Sequence, residues 1–327
     1  MDNAYRQAVV SWMEQVRDFA ADQAWIVPTL GTIHSVGVAV RLLTNEQEAI
    51  IVTPPVYNRF EQAAARLGRQ IVRCGLVQVK ERYEMDFAAI EAAMARPDTR
   101  LFVLCNPHNP IGQIWKKDEL ARLADLAGQY GVAVFSDEIF AENSLAGIRS
   151  PSYLTIPGAR HNCIVSTSLG KAFGTTGFNH ANMLIPDESL RAAFVSRRDR
   201  EHYGSMDPVA YESLMAAYSA DGKAWLDASN IVIAENIQKV RSFFRKNLPD
   251  VPVYGGEGGY IIWLDWRSRF ADEQSLMQFL WHQAYMHLDA GSNYGVPEGF
   301  ARMSLACPAR CVDQALVTLE RALSSCN

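Results

Sequence analysis

Three short stretches of the chain gather residues that can do chemistry. Asn106-Pro107-His108-Asn109-Pro110 follows an apolar run at 101–105. Asp137-Glu138 follows a second at 132–136, and Thr167-Ser168-Leu169-Gly170-Lys171 follows a third at 163–166. Taken singly, Asn, Asp, Ser and Pro at such points are turn residues. Together they include a lone lysine after a Ser- and Gly-bearing turn, and an amine becomes a useful nucleophile once burial lowers its pKa. A Schiff-base lysine needs an aldehyde cofactor, and pyridoxal 5′-phosphate (PLP) sets three further demands. Its ring nitrogen needs a carboxylate, which Asp137 can supply. Its phosphate needs backbone N–H groups at a helix start, which Gly31-Thr32 can supply, with a hydroxyl from Ser168. Its ring needs a flat neighbour, and Tyr57 follows Pro54-Pro55.

Other titratable residues read differently. His108, between two prolines, is expected to fix the Asn109 loop, and His282 and His287 to be surface or satisfied residues. Asp137 and Glu138 point to opposite faces of a strand, so they form no carboxylate dyad.

The elements that must position these residues are legible from periodicity. Strand-like runs fall at 49–52, 70–74, 101–105, 132–136, 163–166 and 181–185. Helical patterns fall between most of them, as at 32–43, 58–67, 86–95 and 117–130. Apolar Val/Ile/Leu runs alternating with amphipathic helices imply an α/β fold with a mostly parallel sheet covered on both faces. Ligands of such sheets bind beyond the carboxyl ends of the strands, where the three stretches stand. After residue 187 long helices at 187–200, 208–220 and 222–247 take over. A mixed tail then has strands near 260–265 and 302–305 and helices near 272–283 and 312–324. This pattern predicts a large α/β domain over 1–240, which holds the residues suited to PLP, and a smaller α+β C-terminal domain over 241–327, divided inside the long helix.

The 327 residues are ample for two domains, and 49% hydrophobic with 20% charged residues is the composition of a globular protein. A net charge of −5 without a Lys/Arg run argues against nucleic acid as a partner; the basic stretch 191–200 reads as a solvated helix face. No apolar run approaches the ~18 residues a bilayer span requires, and the N-terminus lacks a signal-peptide pattern. The six cysteines are scattered. Only Cys307 and Cys311 are close, with no second pair for zinc, and Cys105 and Cys163 are expected to be buried thiols. The expectation is a reduced, cytoplasmic protein without structural metal.

The ordered motifs TPPVYNRF (53–60), LCNPHNPIGQIW (104–115), FSDEIF (135–140), TSLGKAF (167–173), GYIIWLDWR (259–267) and ARMSLACP (301–308) resemble those of fold-type I PLP enzymes. The chain is most similar to the cystathionine β-lyases (C–S lyases) of the MalY/PatB type. The resemblance implies that Lys171 holds the cofactor and moves the substrate's Cα proton. It implies that Asp137 pairs with the ring nitrogen, Asn109 bonds the ring's 3-oxygen and Tyr57 stacks. Gly31, Thr32 and Ser168 hold the phosphate, and Arg302 takes the α-carboxylate of a small amino-acid substrate. It further implies a homodimer and a β-elimination yielding pyruvate, ammonia and a thiol. Transamination, or PLP binding without catalysis, are the alternatives.

Three departures from the family pattern stand out. Asn179 occupies the place of a phosphate-binding arginine, as is usual among the lyases, and Phe140 replaces a polar Tyr or His. An N-terminal segment of several dozen residues that closes the substrate pocket is not found. That last departure leads to expectations of slow turnover and of exposed apolar surface near Trp263 and Trp266.

Overall fold

The computed structural model describes residues 2–145, 147–201 and 206–325. In chain order the first strands are β1 (Ile26–Thr29), β2 (Ala49–Val52), β3 (Gln70–Arg73), an outlying hairpin of β4 (Val77–Val79) and β5 (Arg82–Glu84), β6 (Thr99–Cys105), β7 (Ala133–Asp137), β8 (Cys163–Thr167) and β9 (Ala181–Leu184). Four more follow: β10 (Val253–Gly255), β11 (Ile261–Asp265), β12 (Asp289–Ala290) and β13 (Phe300–Ser304). The helices are α1 (Asn3–Gln15), α2 (Thr32–Leu43), α3 (Arg59–Ala65), α4 (Phe87–Met94), α5 (Lys117–Tyr130), α6 (Leu169–Ala172), α7 (Glu188–Arg200), α8 (Pro208–Ala217), α9 (Ala220–Asn247), α10 (Glu273–Gln278) and α11 (Ala309–Ser325).

The larger sheet has the order β1-β9-β8-β7-β6-β2-β3. Only β9 runs against the other six. The run AIIV of β2 and the run CIVST of β8 are buried at every position because helices cover both faces. One face packs against Tyr5, Val9, Trp12 and Met13 of α1 and Leu120, Leu123 and Ala127 of α5. The other packs against Val36, Ala39 and Val40 of α2. Gly131, at φ +65, ends α5 in the left-handed conformation that glycine adopts without strain.

The smaller sheet is antiparallel, in the order β10-β11-β13-β12. Ile237, Val240 and Phe244 of α9 and Val312, Leu316 and Leu319 of α11 cover one face with Ile262, Leu264 and Trp266. Along α9 the partners change, Leu226 packing into the large core and Ile233 onward into the small one.

Trp263 and Trp266 are fully buried, contrary to the expected exposed patch. They lie on or beside β11, an interior strand, where Trp263 stacks on Phe300 at 5.2 Å and Trp266 meets Phe244 edge-on at 5.6 Å. Exposed apolar side chains stand instead on α9, at Trp225 and Ile231. Cys74, Cys105 and Cys163 are buried free thiols; Cys326 lies outside the described residues. Among the described residues no helix is long and apolar enough to cross a membrane, and no His/Cys/Asp/Glu group could hold a metal ion.

Candidate active site

Strand register brings the three chemically rich stretches together. Cys105 pairs with Asp137 and Asp137 with Ser166, so the carboxyl ends of β6, β7 and β8 lie side by side. Ser168 caps α6, its Oγ accepting from Gly170 N at 3.2 Å, and one turn later the helix presents Lys171. His108 is fully buried and its Nε2 lies 2.7 Å from the Pro55 carbonyl. It therefore ties the Asn109 loop to the segment carrying Tyr57, the turn-fixing role expected of it.

A pocket of about 300 Å³ opens beyond these strand ends, and Gly31, Thr32, Tyr57, Asp137, Ser168 and Lys171 all line it. Six of the eight sequence-derived site residues thus share one space. At its far wall α2 begins without any side-chain cap, leaving first-turn amides for an anion. Gly31, at φ +123, has no heavy atom within 4 Å of where a Cβ would stand, so a glycine keeps the cradle open. The hydroxyls are more committed than expected. Thr32 Oγ1 lies 2.9 Å from Ser166 Oγ, and Ser168 donates to the His180 carbonyl at 2.9 Å. The uncapped backbone amides at the start of α2 are thus open donors of this wall.

Lys171 also lines a second, wider cavity of about 620 Å³ with Asn143, Trp225, Val232, Tyr260 and Pro308. Its amine stands 5.6 Å from the centre of the Phe140 ring. Phe140 is buried against Tyr260, so where a polar residue was expected to be missed the lysine gains an apolar wall. Burial lowers the pKa of Lys171, opposed by the charge of Asp137 and aided by that of Arg302. Burial pushes Asp137 up to about 7, against a hydrogen bond from Ile139 N at 3.2 Å and the charge of Lys171. An enclosed carboxylate with no cationic hydrogen-bond partner among the described residues is suited to a cation supplied from outside the chain.

Behind Asp137 its neighbour faces the other way, as strand alternation requires. Glu138 accepts from Arg17 Nη2 at 2.6 Å, from Tyr153 N at 2.8 Å and from Ser136 Oγ at 3.1 Å, and both ends of the ion pair are buried.

Asn109 and Arg302 lie outside the pocket lining and are joined to each other. Arg302 Nη1 donates to Asn109 Oδ1 at 3.0 Å, bridging β13 of the small sheet to the loop after β6. Nη2 donates to Asp289, and Nε is buried without a partner among the described residues.

Sequence reasoning missed His180, Arg59 and His34, which also line the pocket. Tyr5 donates to Asn182 Oδ1 at 2.8 Å, leaving His180 Nε2, 2.6 Å away, to donate to Tyr5 and its buried Nδ1 without a partner among the described residues. Burial holds His180 down to about 4, hence neutral. Its position beside Asn179 was its only signal in the sequence.

Comparisons with known proteins span nearly the whole chain. Residues 1–319 match the family model described as aminotransferase class I and II. Cystathionine β-lyase PatB of Bacillus subtilis (strain 168) is 29% identical over 325 residues, 99% of this chain and 84% of that protein. Protein MalY of Escherichia coli (strain K12) is 26% identical over 324 residues, 98% of this chain and 82% of that protein. Cystalysin from Treponema denticola, whose crystal structure contains a pyridoxal 5′-phosphate cofactor, superposes with a TM-score of 0.96 at 29% identity, over 100% of this chain and 83% of its own.

Proposed function

The chain belongs to the aminotransferase class I and II family, and from that premise we propose that it is a PLP-dependent carbon–sulfur β-lyase cleaving L-cystathionine or a related cysteine S-conjugate to pyruvate, ammonia and a thiol. One observation carries the reading. A lysine with a lowered pKa, a buried carboxylate without a cationic hydrogen-bond partner among the described residues and an uncapped helix start converge on a single pocket. The lining fits the cofactor: Asp137 would face the ring nitrogen, Tyr57 its plane and the amides after Gly31 its phosphate, while Asn109, outside that lining, is the proposed partner of its 3-oxygen.

When bound, PLP supplies an aldehyde for amines and a ring that draws electron density from the substrate's Cα. In this reading Asp137 keeps its negative charge beside the ring nitrogen, since a neighbouring cation favours the ionised carboxylate. Lys171, an amine whose burial favours the neutral form, takes the Cα proton and can return it. Arg302 orients the α-carboxylate with a planar fork that lysine cannot match. The wide cavity beside Lys171 gives room for the sulfur-bearing side chain, whose Cβ–S bond breaks with the electron pair leaving on sulfur.

Incubation of the PLP-loaded protein with L-cystathionine tests this. Pyruvate should accumulate with no added 2-oxo acid. Strict dependence on an oxo acid would make it an aminotransferase.

A further inference from the structure

We propose that Asp289 is a built-in competitor for the substrate carboxylate, a gate on Arg302 that makes binding depend on a second anchor. The inference deepens the proposed function and rests on the reading of Arg302 as the carboxylate clamp. Asp289 and Arg302 are directly opposed in register on β12 and β13, so their side chains share one face. Asp289 holds Nη2 of Arg302, Tyr294 Oη donates to the same carboxylate at 3.3 Å, and Asn109 holds Nη1. A guanidinium offers a carboxylate two paired edges, Nε with Nη2 and Nη1 with Nη2. Both run through Nη2, the atom Asp289 occupies. The buried, unpartnered Nε is the unfilled half of the first of these edges.

A bidentate ligand must therefore displace Asp289 or stand beside its negative charge. Displacement is feasible, because the Asp289 side chain is 48% exposed on a two-residue edge strand and can turn into water, whereas that of Arg302 is only 21% exposed. A simple carboxylate has only its bond to Arg302 with which to compete. An α-amino acid is also anchored through its amine at the Lys171 end of the site, and that second attachment raises the effective concentration of its carboxylate at Arg302. Asp289 thus weighs most against carboxylates that make no second attachment in the site.

Titration calorimetry of the PLP-loaded protein with propionate reads this without turnover. Asp289→Asn and Asp289→Ala should each tighten propionate binding on the order of fivefold, the scale of one exposed ion pair removed as a competitor. They should also narrow the preference for L-alanine over propionate. Arg302→Ala serves as the control and should weaken both ligands. Unchanged or weaker propionate binding in both Asp289 variants, with Arg302→Ala impaired, would show that Asp289 merely props Arg302 and would overturn the gate alone. Wild-type propionate binding in Arg302→Ala would overturn the clamp reading and the gate with it.

Discussion

Asp137 and Lys171 are displaced in opposite senses by one cause, burial of groups that prefer to be charged in water. For Asp137 the sign fixes a pH window. Below about pH 3, the carboxyl is largely protonated in both the folded and the unfolded chain. From there to about 7 the unfolded chain loses its proton while the cofactor-free fold keeps it, so stability falls as pH rises and then levels off. Asp137→Asn removes this cost. Denaturant melts of the cofactor-free proteins should find the variant more stable at pH 8, on the order of 2–4 kcal/mol, with the gap closing near pH 4. An equal gap at both pH values would refute the buried ionisation. Loaded with PLP, the same variant should lose tens- to several-hundred-fold in turnover, because an amide cannot hold the ring nitrogen protonated. Residues of this kind were legible because they stand at strand ends in a recognisable order. Asp289 and His180 were not, because their significance comes from partners distant in sequence, Arg302 across the β12–β13 ladder and Tyr5 on α1.

Glu138 shows how a secondary-structure element fixes a residue it does not contain. Arg17, just beyond α1, reaches the end of β7 through an ion pair at 2.6 Å, both partners being almost wholly enclosed. Removing one member of such a pair leaves an uncompensated buried charge. Arg17→Met should cost about 3–5 kcal/mol, and adding Glu138→Gln should recover part of it, since Glu142, 3.8 Å from Arg17, stays buried without its cation. Urea unfolding of the single and double variants checks this, and purely additive losses would show that the pair is not coupled. The elements themselves were uneven to read. The bounds 32–43 and 117–130 match α2 and α5 because long amphipathic stretches carry a strong period. The strand β1 escaped notice because Pro28 reads as a break; it is tolerated there since β1 is an edge strand. The hairpin of β4 and β5 and the two-residue β12 are too short and polar to carry a pattern.

At the scale of the molecule, one ligand should join parts of the chain that are far apart in sequence. The pocket is drawn from the start of α2, the segment after β2, and the turns after β7 and β8. Anything that binds this assembled space and not the unfolded chain stabilises the fold by mass action, about 2.7 kcal/mol at a hundredfold excess over its dissociation constant. For a chain of this size, that is a rise in melting temperature on the order of 5 °C. PLP and pyridoxal both carry the aldehyde that reacts with Lys171, but only PLP carries the phosphate that the amides after Gly31 would hold. Thermal melts at equal ligand concentration should therefore show a clear rise with PLP and a smaller one with pyridoxal. Lys171→Ala should keep part of the PLP effect, because the phosphate wall is intact, whereas borohydride reduction, which should fix PLP covalently to Lys171 in the parent protein, should leave this variant unlabelled. Equal shifts for the two ligands would mean that α2 does not hold the phosphate. A label retained in Lys171→Ala would remove that lysine from the centre of the site.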